Sequence, residues 1–303
     1  MSTERAPELK MPAYGGQAVI EGVMMRGKKA VAMAVRSPQG EIVLFEEQLP
    51  AVYQSVWFKT PFIRGVLSLW DSLELGMRYL TKAANVQTGE DEKMEGKTLF
   101  LTVLVGVLFG VGLFFLLPAL VAGWVDKGLN LGPWWGNLFE GFLRLLILIA
   151  YLMIVGRIPD IKRTFMYHGA EHKTINAFEA GVPLTPEGVA LQTKVHPRCG
   201  TSFIVTLVIL SVLIFALLGP LPLYWRFITR VLMLPLLAGI AYEFIRWTAR
   251  VMDKSAFVRL IITPNLWMQK LTTKEPTKEM LEVAIAAFNR MYALEQETVG
   301  AQP

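Results

Sequence analysis

The chain has 303 residues, 53% of them hydrophobic and only 18% charged, with a net charge of +5 and a mean hydropathy of +0.42. Soluble domains average about 25% charged, so disordered, collagenous and disulfide-built chains are excluded, the last because one cysteine, Cys199, cannot form an intramolecular disulfide. A membrane protein with soluble parts remains, and with no Lys/Arg run of five or more, no specific nucleic-acid partner is expected.

The first ten residues, MSTERAPELK, are polar and no apolar core follows, so no cleaved secretory signal is expected. Residues 12–97 read as an N-terminal unit of β-segment and amphipathic helix. Its start, GGQAVIEGVMMRG over 15–27, reads as a strand between glycine bends and lacks the phosphate-binding glycine orders. Glu21 and Arg26 are a candidate carboxylate and cation for an anionic substrate. Lys29–Arg36 and Glu41–Glu47 alternate as two strands around a Ser37–Gly40 turn. Phe62, Val66, Leu69, Leu73, Met77 and Leu80 recur at helical spacing, which predicts an amphipathic helix over 62–85, on the sheet or at the membrane surface. Gln87 to Lys97 is a polar linker.

Two transmembrane hairpins follow, 98–156 and 202–248, with spans near 98–125, 138–156, 202–223 and 227–248. The first is expected to tilt or break near Pro118, and Gly219 and Pro220 end the third. Glu140 and Arg144 inside the second sit four residues apart and are expected to neutralise each other. Basic residues crowd the loop at 157–201 and the C-terminal helices at 249–303, and are sparse in the other two connections. The lipid bilayer is thus the first partner, and the positive-inside rule places both termini and the 157–201 loop in the cytoplasm, as for a multi-pass inner-membrane protein. Thr277–Glu297 reads as a soluble helix with Met280, Ala284, Ala287 and Met291 on one face.

All three histidines lie between His168 and His196, and the one cysteine follows three residues later. His168, Glu171 and His172 spell H-x-x-E-H, the inverted zincin pattern. On a helix the two imidazoles share a face and can hold one divalent ion, Zn²⁺ by ligand type. Glu171 is the candidate general base. Further ligands come from His196, Cys199 or Glu179, with Arg198 beside them. Glu243, near the inner end of the fourth span, or Glu279 is a candidate for the distant glutamate that inverted zincins use. The plain alternative is a set of interfacial polar groups, with His172 bonding a main-chain carbonyl and Cys199 a small buried residue.

GGQAVIEGVMMRG, RIPDIKRTFMYHGAEHKTINAFE and HPRCGTSF resemble the YqhQ-like family of bacterial membrane proteins over about residues 12 to 297. The resemblance implies His168, Glu171, His172, His196 and Cys199 as signature positions in a predicted metal-dependent enzyme, and supplies no substrate. The expected fold is mostly α: four transmembrane helices plus a small α+β cytoplasmic unit. The expected function is a membrane-embedded, metal-dependent, hydrolase-like enzyme acting on a lipid-linked or membrane-protein substrate. The competing expectation is a scaffold or biogenesis factor docking a ribosome, translocon or other membrane complex.

Overall fold

The computed structural model describes residues 14–88, 96–130, 132–217, 221–252 and 254–300. Of the linker expected at 87–97, Gln87 and Thr88 end one helix and Gly96 and Lys97 begin another, while 89–95 and the Gly219–Pro220 stop lie outside the described residues.

The N-terminal segment forms an antiparallel meander of β1 (Gly15–Val19), β2 (Gly22–Arg26), β3 (Ala30–Arg36) and β4 (Ile42–Gln48), in that spatial order. The glycine-dense stretch is thus two strands with a turn at Ile20–Glu21, where Glu21 takes a left-handed φ of +51°. Strand β3, AVAMAV, is buried on both faces because helices cover both sides of the sheet. Ala30, Ala32 and Ala34 point to one side, Val31, Met33 and Val35 to the other. The alanines let α10 (Lys278–Gly300) approach closely through Met280, Ala284, Ala287 and Met291. On the opposite face α1 (Ile63–Thr88) packs Leu75, Tyr79 and Ala83. The helix predicted over 62–85 is therefore packed on the sheet, but through Leu75, Tyr79 and Ala83 rather than the predicted stripe, of which Phe62, Leu73 and Met77 are exposed; its first turn reaches the membrane bundle.

Four helical stretches among the described residues are long and apolar enough to cross a bilayer: Phe100–Leu129, Trp134–Val155, Gly200–Leu217 and Ile228–Val251. They mark the chain as a membrane protein. The first comprises α2 (Gly96–Val111), a π-helical turn at Gly112–Leu116 and α3 (Leu117–Leu129). The expected break has a local cause. Pro118 lacks an N–H and collides with the carbonyl four residues back, that of Phe114. The displaced carbonyl accepts a hydrogen bond from Arg144 Nε at 3.0 Å.

The second span is α4 (Gly132–Val155), the third α7 (Gly200–Leu217) and the fourth α8 (Leu223–Val251). Glu140 and Arg144 pair within α4 at 2.9 Å, and Arg230 of α8 joins them at 2.7 Å. All three side chains are buried, so one carboxylate ties two helices to two guanidinium groups.

The segment read as a loop at 157–201 is largely helical. After a bend at Gly156, Pro159 opens α5 (Pro159–Glu179), proline being well suited to a first helical position. A short α6 (Pro186–Ala190) follows. α5 lies against β1 and α10, with Tyr167, Ala170, Ile175 and Ala177 in the core beneath the alanine face of the sheet. Between α8 and α10 runs α9 (Ala256–Thr272), within the stretch read as C-terminal helices but with no bounds or packing assigned from the sequence.

Candidate metal centre

α5 presents His168 and His172 one turn apart, ring centroids 4.4 Å from each other. Cys199, immediately before α7, completes the group. One ligand atom from each of the three residues lies within 4.8 Å of the others, and Cys199 Sγ is 3.3 Å from His168 Nε2. Donors bound to one tetrahedral zinc at about 2.0–2.3 Å stand roughly 3.5 Å apart, so this grouping needs closing by about 1 Å at its widest.

The second shell fixes which nitrogen is available. His168 Nδ1 donates to the Thr272 carbonyl at 2.9 Å, and His172 Nδ1 donates to the Lys194 carbonyl at 2.7 Å. A carbonyl only accepts, so the Nδ1 atoms carry the hydrogens and the neutral rings keep their Nε2 lone pairs. Metal-binding histidines are oriented in this way. The Thr201 N–H donates to Cys199 Sγ at 3.3 Å.

The main chain flanking Lys194 is held from α5 itself. Asn176 Nδ2 donates to Thr193 O and Val195 O at 2.7 and 3.1 Å, and Lys173 Nζ donates to Ala190 O at 2.7 Å. Lys173 is buried and meets Glu275 at 2.5 Å. From α9, the buried Gln269 brackets His196, accepting from its N–H and donating to its C=O, both at 2.9 Å. None of Asn176, Lys173, Gln269 or Thr272 was singled out from the sequence. Their contacts run largely through main-chain atoms distant in sequence, which leave no local pattern.

The other sequence-predicted residues divide. Glu171 is buried beside the pair, its carboxyl against the backbone of Gly16, where an added Cβ would lie 3.0 Å from Glu171 Cγ. Burial pushes this carboxyl up to about 7, against the opposing pull of His168 and the Gly16 N–H. The glycine motif and the histidine helix therefore touch. His196 stands outside the trio: its ring is 5.7 Å from that of His172, and its Nε2 is 3.6 Å from a Glu179 oxygen. Glu179 also pairs with Arg198.

Glu21 is committed to α5 rather than to a substrate. It forms two 2.6 Å bonds to Arg163 and accepts from Tyr167 at 3.2 Å. Arg26 lies away from the histidines, paired with Asp71 of α1 at 2.6 Å. Glu243 is likewise elsewhere, bonded to Arg64 and to the Phe62 N–H, because α1 crosses α8 at that level. Neither residue joins the trio.

A family model described as "Protein of unknown function (DUF1385)" matches residues 60–294. The chain is 36% identical to "Uncharacterized protein YqhQ" of Bacillus subtilis (strain 168), over 97% of this chain and 96% of that one. No solved structure matches it. The matched stretch contains the four spans, the histidine helix and Cys199, and the chain belongs to this family of proteins of unknown function.

Proposed function

We propose that this is a membrane-embedded, metal-dependent enzyme of the hydrolase type, seated in the inner (cytoplasmic) membrane. The observation that carries the reading is the two imidazoles held at Nδ1 by main-chain carbonyls, with their partner thiol 3.3 Å from one Nε2. Two imidazoles and one thiolate are borderline-to-soft donors that suit Zn²⁺, and three protein ligands are the number catalytic zinc sites use. His168, His172 and Cys199 would hold a divalent ion, which would supply Lewis-acid chemistry toward a carbonyl or phosphoryl group. Glu171 is the proton acceptor: a buried carboxyl titrating near 7 both takes and returns protons at neutral pH. Lys173 and Asn176 hold the main chain around the site, and Gln269 keeps His196 beside it.

The cluster stands where α5 meets the first turn of α7, at the end of a membrane span. A lipid-linked or membrane-protein substrate suits that place. The charge distribution supports cytoplasmic termini, since Arg157, Lys162, Arg163, Lys194 and Arg198 lie on this side and the stretch from Asp126 to Asn137 carries only Lys127.

The test uses the protein in liposomes made from a bacterial lipid extract, with zinc supplied and products followed by mass spectrometry. Wild type forms a hydrolysed lipid or lipid-linked product, while Glu171→Gln keeps its zinc and forms none. The hydrolase reading fails if Glu171→Gln retains full function in cells while charge reversal at Lys162 and Arg163 abolishes it. That result selects the scaffold, whose basic face docks a membrane complex.

A further inference from the structure

α9 buries one face of mixed polarity and leaves an apolar stripe open beside it. Its inner face, Val258, Ile262, Asn265, Met268, Gln269 and Thr272, is buried against the bundle. Its outer stripe of Phe257, Leu260, Ile261, Pro264 and Trp267 is open, with Phe257 and Leu260 each 70% and Trp267 68% exposed. Spacings of three and four residues put these side chains in one line, and the line contains no charge. An amphipathic helix with a broad uncovered apolar stripe and its cations on the remaining side suits a membrane boundary.

The inner contacts fix its level. Asn265 donates to Thr206 Oγ1 at 2.8 Å, and Thr206 is six residues, about 9 Å, inside α7. Met268 packs with Val205 of α7 and Leu148 of α4, and Leu148 is seven residues, about 10 Å, from the end of its span. α9 therefore lies beside segments that are themselves in lipid, and its exposed stripe continues their lipid-facing surface.

It does not cross. Seventeen residues make a helix of about 25 Å, short of a hydrocarbon core of about 30 Å. Both ends also sit on the same side of the bundle. α9 starts just after α8 ends at Val251, and it finishes where Thr272 meets His168 and Thr201, at the start of α7. Its exposed cations, Arg259 and Lys270, lie near the two ends, where long side chains reach the headgroups.

We infer that α9 is a non-spanning membrane helix whose outer stripe, Phe257 to Trp267, is covered by lipid acyl chains. The inference is independent of any bound metal. It adds that the His168–His172–Cys199 cluster stands at the edge of the hydrocarbon, since Trp267 is five residues, about 8 Å along the axis, from the Thr272 carbonyl that holds His168.

The native cysteine count of one makes nitroxide labelling direct. Leu260→Cys and Trp267→Cys, each in a Cys199→Ala background, are labelled in liposomes of phosphatidylcholine and phosphatidylglycerol. Glu41→Cys, on the exposed β3–β4 turn, is the aqueous control, and circular dichroism confirms retained helix. Labels at 260 and 267 should relax several-fold more strongly with oxygen than with a water-soluble nickel chelate, and the control should show the reverse. Nickel accessibility at 260 and 267 equal to the control overturns the inference. Shielding from both reagents also overturns it, because protein rather than lipid then covers the stripe.

Discussion

The Nδ1 atom of His172 and the carbonyl oxygen of Lys194 stand 2.7 Å apart, and His168 repeats the arrangement with Thr272 at 2.9 Å. Two rings one turn apart on a single helix are thus locked by main-chain oxygens from two different segments. The consequence is a shared tautomer, with both Nε2 lone pairs left free to coordinate a metal ion.

That tautomer is measurable. Long-range ¹H–¹⁵N spectra of the metal-free protein should show His168 and His172 protonated at Nδ1 and bare at Nε2. Added zinc should shift the Nε2 resonances and leave the Nδ1 hydrogens in place. An Nε2–H tautomer in either ring contradicts the assignment.

Gly169, between the two site positions, is where α5 meets the chain leading into α10. A Cβ there would collide with the Lys274 carbonyl, a main-chain atom that cannot swing aside. Gly169→Ala is predicted to cost about 1–3 kcal/mol from overpacking. It should also weaken zinc binding, because relief of the clash moves the segment that supplies Thr272 O. Thermal unfolding and chelator competition read the two effects. An unchanged melting temperature with unchanged zinc affinity contradicts the close approach.

Much of this architecture is legible in the sequence. Hydropathy marks the four spans, alternation marks β3 and β4, and the helical spacing of Met280 to Met291 marks the face that meets the sheet. The i, i+4 histidines and the later cysteine also come together as a sequence reader would hope. The rest is hidden for a physical reason. Carbonyls of residues 190–195 and 272 carry no side-chain signature. Glu21 finds Arg163 142 residues away, and Arg26 finds Asp71 rather than the histidines. Such choices depend on the sheet's handedness and layering, which local pattern does not encode. α9 escaped because its stripe, interrupted by Arg259, Pro264 and Lys270, falls below the length of a span.

Inside the membrane, Glu140 balances both Arg144 and Arg230. Glu140→Gln leaves two buried guanidinium groups without a counter-charge, at a predicted cost of about 3–5 kcal/mol. Replacing all three side chains by leucine should recover most of that loss. Unfolding in detergent micelles measures both. A neutral Glu140→Gln places these charges in contact with water instead.

Acid should loosen the junction of hairpin and helix. The bonds from Arg163 hold the Glu21 carboxyl below the ordinary carboxylate range, against the opposing effect of burial. A depressed carboxyl contributes stability that is complete above its unfolded value, about 4.3, and is lost as pH falls through the lower folded value. Wild type should therefore lose melting temperature more steeply than Glu21→Gln below about pH 4.5. Parallel slopes for the two proteins contradict the pairing.

The central claim is that His168, His172 and Cys199 hold one ion together, and cobalt substitution tests it most directly. Purified protein titrated with Co²⁺ should develop a near-ultraviolet sulfur-to-cobalt band and the intense visible bands of a tetrahedral ion, saturating at one equivalent. Cys199→Ala should lose the sulfur band, and His168→Ala and His172→Ala should weaken binding by at least tenfold. The account is contradicted if wild type shows no sulfur band, or if the band persists without Cys199.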